Sequence, residues 1–258
     1  AGGYRGPKAF DEDMHIAIVG GKRVRIRLAD DLREERSHSV SLSADLYHTF
    51  GKVQTNLLVE GFYTILDDVF ALRDMDDAAD GGKVKERYNG SGATVRGFNV
   101  EGRAAFTRWF ELQAGVTLQQ SRYKEPEFWS EDAEVPPVRR MFRTPDAYGY
   151  FTASFKPVRN FTADLSGTCT GSMLVQHMAG SGVAQDVAVS TPSFFDMNIR
   201  LSYDVRIYKE ITMQLYGGVQ NLFNAYQKDF DKGVDRDSGY IYGPSLPRSW
   251  FVGAKFSF

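Results

Sequence analysis

The sequence predicts an all-β protein, an antiparallel transmembrane β-barrel wall, and three observations carry that prediction. First, FFDMNIRLSYDVRIY, residues 194–208, alternates strictly from Phe195 onward. Phe195, Met197, Ile199, Leu201, Tyr203, Val205 and Ile207 share one side, with Asp196, Asn198, Arg200, Ser202, Asp204 and Arg206 between them. A two-residue period belongs to a strand, because successive side chains leave opposite faces of the backbone, and this one is more than twice the usual length of about five or six residues. Second, the links between such segments alternate between short and long. Third, aromatics reach 14% of the 258 residues, with 19 Phe and 13 Tyr, a composition that favours strands and turns.

Nine strands follow from the same period. Residues 38–50 set Val40, Leu42, Ala44, Leu46, His48 and Phe50 against Ser39, Ser41, Ser43, Asp45, Tyr47 and Thr49, and residues 53–66 set Val53, Leu57, Val59 and Tyr63 against Gln54, Asn56 and Glu60. Residues 94–107 and 110–122 continue it, with Phe98, Val100, Ala104, Val116 and Leu118 opposite Asn99, Glu101, Arg103, Thr117 and Gln119. Then come 146–156, 160–176, 194–208, 210–222 and 249–258, with a partial strand expected in 15–28.

Short links fall around Phe50-Gly51-Lys52, Arg108-Trp109-Phe110, Lys156-Pro157-Val158-Arg159 and Tyr208-Lys209-Glu210. Long ones span roughly 67–91, 123–145, 177–193 and 223–247 and hold the polar, turn-forming material. Short turns at one end and long loops at the other are the pattern of an outer-membrane barrel, with periplasmic turns and extracellular loops. The apolar face is then expected to meet outer-membrane lipid and the charged face a polar lumen. A closed sheet pairs every backbone polar group. Nine is odd where bacterial barrels have even strand numbers, so the chain is expected to supply part of a larger barrel.

Other classes are excluded or disfavoured. A net charge of −2 gives no basic surface for nucleic acid. The single cysteine, Cys169, supports neither an internal disulfide nor a cysteine metal site. No stretch approaches the length of a transmembrane helix, about 18 apolar residues. The start, AGGYRGPKAF, has no signal-peptide pattern, so a membrane role implies a processed form, a fragment or an engineered chain.

At the C-terminal end the residues carry a resemblance. GGVQNLFNAYQKDF (217–230) and YGPSLPRSWFVGAKFSF (242–258) resemble the closing strands of TonB-dependent outer-membrane transporters. The shared features are Asn221 to Asn224, Pro247-Arg248 and the terminal Phe258. GYRGPKAFDEDMHI (3–16) and DLREERSHSVSL (31–42) resemble that family's mid-barrel Gly-aromatic-Arg-Ala-Pro and Leu-x-Pro-Glu-x-Ser elements, with Gly6 standing for the Ala and Glu34 for the Pro. The resemblance implies about nine or ten strands of a barrel of about 22, with a plug domain and a TonB-contacting segment outside this chain. It also implies location in the bacterial outer membrane and active uptake of a scarce, bulky nutrient. The expected cargo is a metal chelate such as a ferric siderophore, haem or cobalamin. Alternatives are an oligosaccharide or peptide, taken up with a surface lipoprotein partner, or passive porin-like passage.

Aromatics and one histidine in the long loops are the candidates for ligand contact: Phe128, Trp129, Phe142, His177, Tyr240 and Tyr242. Rigid rings with a polar tip suit a binding surface; anchoring at the membrane interface is the plainer alternative. Asp229, Asp231, Asp235 and Asp237 are candidate calcium ligands, as are Asp67, Asp68, Asp74, Asp76, Asp77 and Asp80, although neither run has the spacing of a calcium loop and a solvated acidic loop explains both. His15, His38, His48 and His177 are scattered without metal-ligand spacing. No Ser or Asp falls beside a His by period, so no catalytic cluster and no cofactor are expected.

Overall fold

The computed structural model describes residues 1–8, 24–75, 83–130, 132–180 and 182–257. Ten strands follow one another through one antiparallel sheet. They are β1 (Gly2–Arg5), β3 (Glu35–Phe50), β4 (Val53–Asp67), β7 (Ala93–Thr107), β8 (Phe110–Glu127), β10 (Ala147–Val158), β11 (Phe161–Thr170), β14 (Phe194–Tyr208), β15 (Ile211–Gln220) and β16 (Ser249–Ser257). The short β9 (Val138–Arg140) pairs with β8 beside this path. All nine strands read from the period are present. His15, Asp76, Asp77, Asp80 and Phe258 lie outside the described residues.

Two differences from the sequence reading change the topology. The strand expected over 160–176 leaves the barrel sheet after Thr170: Gly171 makes a last bond to the Ala147 carbonyl, and the chain re-forms as a separate hairpin, β12 (Leu174–His177) with β13 (Val187–Ser190). A Cβ at Gly171 would stand 2.6 Å from the Ala147 oxygen, so the chain turns away at a residue able to approach so closely. Of the partial strand expected in 15–28, residues 15–23 are outside the described set. The rest, β2 (Val24–Leu28), runs parallel to β6 (Lys83–Asn89), which pairs antiparallel with β5 (Phe70–Met75). That three-stranded sheet stands at the long-loop end, apart from the barrel sheet.

Register carries the apolar face unbroken across the sheet. One row of paired residues reads Ala44, Val59, Val100, Val116, Gly149, Cys169 and Phe195, and two rows lower Ala104, Leu112, Ala153, Leu165, Ile199, Val219 and Trp250. Within the chain this face is open: Leu42 is 82% exposed and Val252 89%. Such a continuous apolar surface far exceeds what a water-soluble domain leaves bare and fits a lipid-facing barrel wall.

The opposite face is a polar ladder. Asn99 donates to Glu60 at 2.9 Å and accepts from Thr117 at 2.8 Å, Gln113 bridges Glu101 and Tyr150, and Arg103 pairs with Glu111. Ser154 donates to Asp164 at 2.7 Å, and Gln214 links Arg200 to Asp204. At the short-turn end the outward rings gather: Phe106 on Phe110, Trp109 edge-on to Phe155, His48 edge-on to Phe50. Aromatic girdles of this kind mark the membrane interface. No helix among the described residues is long and apolar enough to cross a membrane.

Candidate functional site

Three of the four long links fold together at one end of the sheet, and the last of them, 221–248, is the organiser. It starts at Asn221, whose φ of +50° is one an Asn tolerates. The Asn221 side chain donates to the carbonyls of Ala225 (2.9 Å) and Leu246 (2.8 Å) and accepts from the Ala225 amide, so it ties both ends of the loop together. Asn224, also at positive φ, accepts from the Arg248 amide at 2.9 Å. The run Asn221 to Asn224 that carried the resemblance is therefore a loop-closing knot.

Inside the loop, Gln227 acts as a surrogate strand. Its amide donates to the Tyr240 carbonyl at 3.0 Å and accepts from the Tyr242 amide at 2.9 Å. That presents both tyrosine hydroxyls to one carboxylate: Tyr240 donates to Asp229 at 2.7 Å and Tyr242 at 2.6 Å. Burial pushes the Tyr240 hydroxyl far above the usual tyrosine range, reinforced by its bond to Asp229, and the same causes push Tyr242 up to about 12. Burial alone would raise Asp229, but the hydrogen bonds from Tyr242 and Tyr240 outweigh it and hold the carboxyl below its ordinary value.

His177 joins this loop to the β12–β13 hairpin. Its Nε2 lies 3.0 Å from both oxygens of Asp231, and its ring lies flat on Tyr240. Burial would raise the Asp231 carboxyl, but the Asp237 amide and His177 together hold it low. Asp237 in turn accepts from the Met178 and Gly239 amides, both at 2.8 Å. Beneath lie Val175, Phe194, Tyr240 and Tyr242, a small buried core packed by Met173, Val189 and Ala225.

The link between β8 and β10 closes the third side. Arg143, at φ +57°, donates to the carbonyls of Ile241 (2.8 Å) and Gly239. Ser130 donates to Asp186 at 2.6 Å, and Asp186 also accepts from Ala179. Trp129 packs edge-on against Phe142. Of the six candidate contact residues, three, His177, Tyr240 and Tyr242, are thus brought together and buried. Trp129 and Phe142 pair with each other, and Phe128 stands 69% exposed.

Of the candidate calcium ligands, the Asp229, Asp231 and Asp237 carboxylates are occupied by protein donors. No group of three or more His, Cys, Asp or Glu among the described residues is arranged to hold a metal ion. In the other acidic run, Asp67 bonds Lys124 and Asp68 bonds Arg33. Gln227, Arg143 and Asn221 were not singled out in the sequence. The recurrent i, i+2 spacing of Asp229 with Asp231 and Tyr240 with Tyr242 was the one visible trace of this arrangement.

Among curated proteins none matches this chain. Solved structures with the same fold include Fiu, the ferric-catecholate import receptor of E. coli K12, in its closed form (17% identity, TM-score 0.59, 88% of this chain and 28% of that one). They also include the copper transporter OprC (12%, 0.64, 100% and 36%) and a variant of the ferric enterobactin receptor PfeA of Pseudomonas aeruginosa (15%, 0.57, 89% and 32%). The chain thus spans about a third of the length of these structures. The family described as TonB dependent receptor-like, beta-barrel, matches residues 2–222. With the barrel register, the apolar outer face and the asymmetric loops, this match makes the chain a member of the TonB-dependent receptor β-barrel family of the bacterial outer membrane.

Proposed function

We propose that the chain forms the C-terminal barrel wall and part of the extracellular surface of a receptor that takes up a scarce, bulky nutrient by TonB-dependent active transport. The cargo class is a metal chelate, of the ferric siderophore, haem or cobalamin kind. The observation that carries this reading is the family match over a sheet whose long loops fold into one ordered platform. A plug domain, the N-terminal half of the barrel and TonB, acting through a segment outside this chain, are the partners this reading requires. A surface lipoprotein belongs to the alternative, uptake of oligosaccharide or peptide. The chain works as a transport component and not as an enzyme: its buried histidine and carboxylates are engaged in holding loops.

In this reading Phe128, Trp129 and Phe142 offer the rigid apolar area that touches ligand. His177, Tyr240 and Tyr242 act from beneath, fixing the loop that carries the contact surface. The test is uptake into cells expressing the receptor, with labelled ferric siderophores, haem and cobalamin offered separately. Saturable uptake of one of them, abolished by a protonophore, is expected. Uptake that rises linearly with concentration and ignores the protonophore would leave a passive pore instead.

A further inference from the structure

We propose that the short-turn rim of the sheet is a contact surface for the cell-wall polymer of the periplasm, a glycopeptide mesh whose peptide stems carry free carboxylates. Register places one cation at the apex of each short turn. Phe50 pairs with Val53, Thr107 with Phe110, Val158 with Phe161 and Tyr208 with Ile211, so every one of these turns closes through a two-residue loop. The loops are Gly51-Lys52, Arg108-Trp109, Arg159-Asn160 and Lys209-Glu210. Between them they hold four basic residues and one carboxylate, that of Glu210, in a chain whose net charge is −2.

Turn chemistry alone does not select these residues. A two-residue hairpin loop calls for positive φ, for which Gly, Asn and Asp are favoured, and Gly51 meets that need at φ +63°. Lys209 stands at φ +45°, where a long side chain is disfavoured. Backbone strain of this kind clusters at functional positions. All four cations are exposed, and none is in an ion pair among the described residues. The Lys209 ammonium lies over the exposed Tyr208 ring, 5.1 Å from its centroid. The acidic residues on the strands above, Glu111 and Asp204, are engaged by Arg103 and Gln214.

Placement selects the partner. The outward positions beside the turns are apolar, with Phe50 facing Val53 and Phe110 facing Phe155. Cations that anchored lipid headgroups would belong on that face among the rings, and the four stand beyond it, at the turn tips on the periplasmic side. Hairpins succeed one another every second strand, so neighbouring tips are about 10 Å apart across the strands. That exceeds the Debye length of about 8 Å at physiological salt, so the cations neither repel one another strongly nor converge on one small anion. They suit a polymer that offers carboxylates at intervals, to which ammonium and guanidinium donate charge-assisted hydrogen bonds. Each contact is weak, and the row adds by effective concentration.

The test uses the receptor carrying the whole chain, folded in detergent, and cell-wall sacculi freed of protein. Co-sedimentation measures binding to native sacculi and to sacculi whose carboxylates have been amidated with carbodiimide and ammonia. The parent is expected to sediment with the native sacculi and to stay in solution with the amidated ones. Arg108→Gln with Arg159→Gln should bind about 30-fold more weakly, since one basic side chain near an anionic surface contributes about fivefold. Lys209→Asn should lose about fivefold while its urea midpoint holds or rises, because Asn accepts positive φ more readily than Lys. Lys228→Gln with Arg236→Gln, the same charge change at the long-loop end, should bind as the parent does. Heat-modifiable migration reports folding, and Lys209→Asn serves if the double variant does not assemble. Equal binding of amidated sacculi, or a loss in the long-loop variant as large as in the turn variants, would overturn the proposal. Parental sacculus binding by the turn variants would overturn it too, and if those variants had lost retained phosphatidylglycerol in native mass spectrometry, the rim would belong to inner-leaflet lipid instead.

Discussion

His177 and Tyr240 stack face to face, their ring centroids 3.7 Å apart and their planes inclined by 4°. The stack joins the β12–β13 hairpin to the last long loop, and the bond from His177 to Asp231 fixes it in rotation. Since both side chains of that bond are almost wholly buried, removing the imidazole leaves a carboxylate short of a partner, at a cost of roughly 1–3 kcal/mol. His177→Ala is therefore expected to free the loop while leaving the barrel intact. Limited trypsinolysis should show faster cleavage at Lys228 and Lys232 with unchanged heat-modifiable migration. Cleavage at the parental rate would mean the loop is held elsewhere.

The shared carboxylate of Asp229 sets a pH window for the same loop. Tyr242 is pushed up to about 12 from an ordinary value of 10.0, so its contribution is complete below pH 10 and is lost as pH rises through about 12. Asp229 is lowered from 3.8, so its contribution is present above that value and is lost as pH falls through the depressed one. The protection of the Tyr242 main-chain amide, its hydrogen-exchange rate taken relative to the intrinsic rate at each pH, is expected to stay high between these limits and to fall outside them. In Tyr242→Phe, exchange should be faster throughout by an amount matching about 1 kcal/mol. An unchanged rate in that variant would remove the carboxylate from its central place.

What was legible in the sequence depended on period. The barrel strands stood out because lipid on one side and water on the other impose alternation at every step, as from Phe195 to Ile207. β5, β6 and β13 did not, because they lie beyond the membrane, where no such demand operates and short paired segments read like loop, and β12 read only as the tail of the strand over 160–176. The knot at Asn221 was visible only as a resemblance. Its physical content, an amide bonded to Ala225 and Leu246 across 25 positions of chain, has no local signature. For the same reason Tyr240 and Tyr242 read as surface aromatics: their partner Asp229 is more than ten residues away, and only the folded loop supplies it.

Asn221 offers a test of that knot. Its side chain makes three bonds, and its backbone sits at φ +50°, so Asn221→Ala loses both bonds and conformational ease, a cost of roughly 2–4 kcal/mol. Asn221→Gly restores the backbone alone and should recover only the smaller part. Assembly in outer membranes, read as protease-resistant protein, is expected to rank parent, Gly, Ala. A glycine variant equal to the parent would show that the side-chain bonds contribute nothing.

Close strand approach gives a sharper contrast between two glycines. A Cβ at Gly218 would stand 2.0 Å from the Ile199 carbonyl oxygen, a backbone atom that cannot swing aside, while one at Gly102 meets nothing within 4 Å among the described residues. Gly218→Ala is thus expected to part β14 from β15 and cost about 1–3 kcal/mol, as overpacking does. Gly102→Ala should be neutral or slightly favourable. Urea titration of the folded barrels in lipid vesicles separates the two, and equal midpoints would contradict the register drawn between Arg200 and Gly218.

The lipid-facing assignment itself rests on residues such as Leu201, which is 46% exposed at the middle of β14 with Ala163 and Gly217 beside it on the same face. Lysine there would place an ammonium near the bilayer midplane, where such a charge costs roughly 2–4 kcal/mol. On the lumen face the same charge is cheap, because Arg200 and Arg206 already sit there among polar partners. Leu201→Lys is therefore expected to block assembly, and Ser202→Lys, one residue on and facing the lumen, to assemble. Gel migration with and without heating distinguishes folded from unfolded barrel for each. If Leu201→Lys folded normally while Ser202→Lys failed, the two faces of the sheet would have to be exchanged.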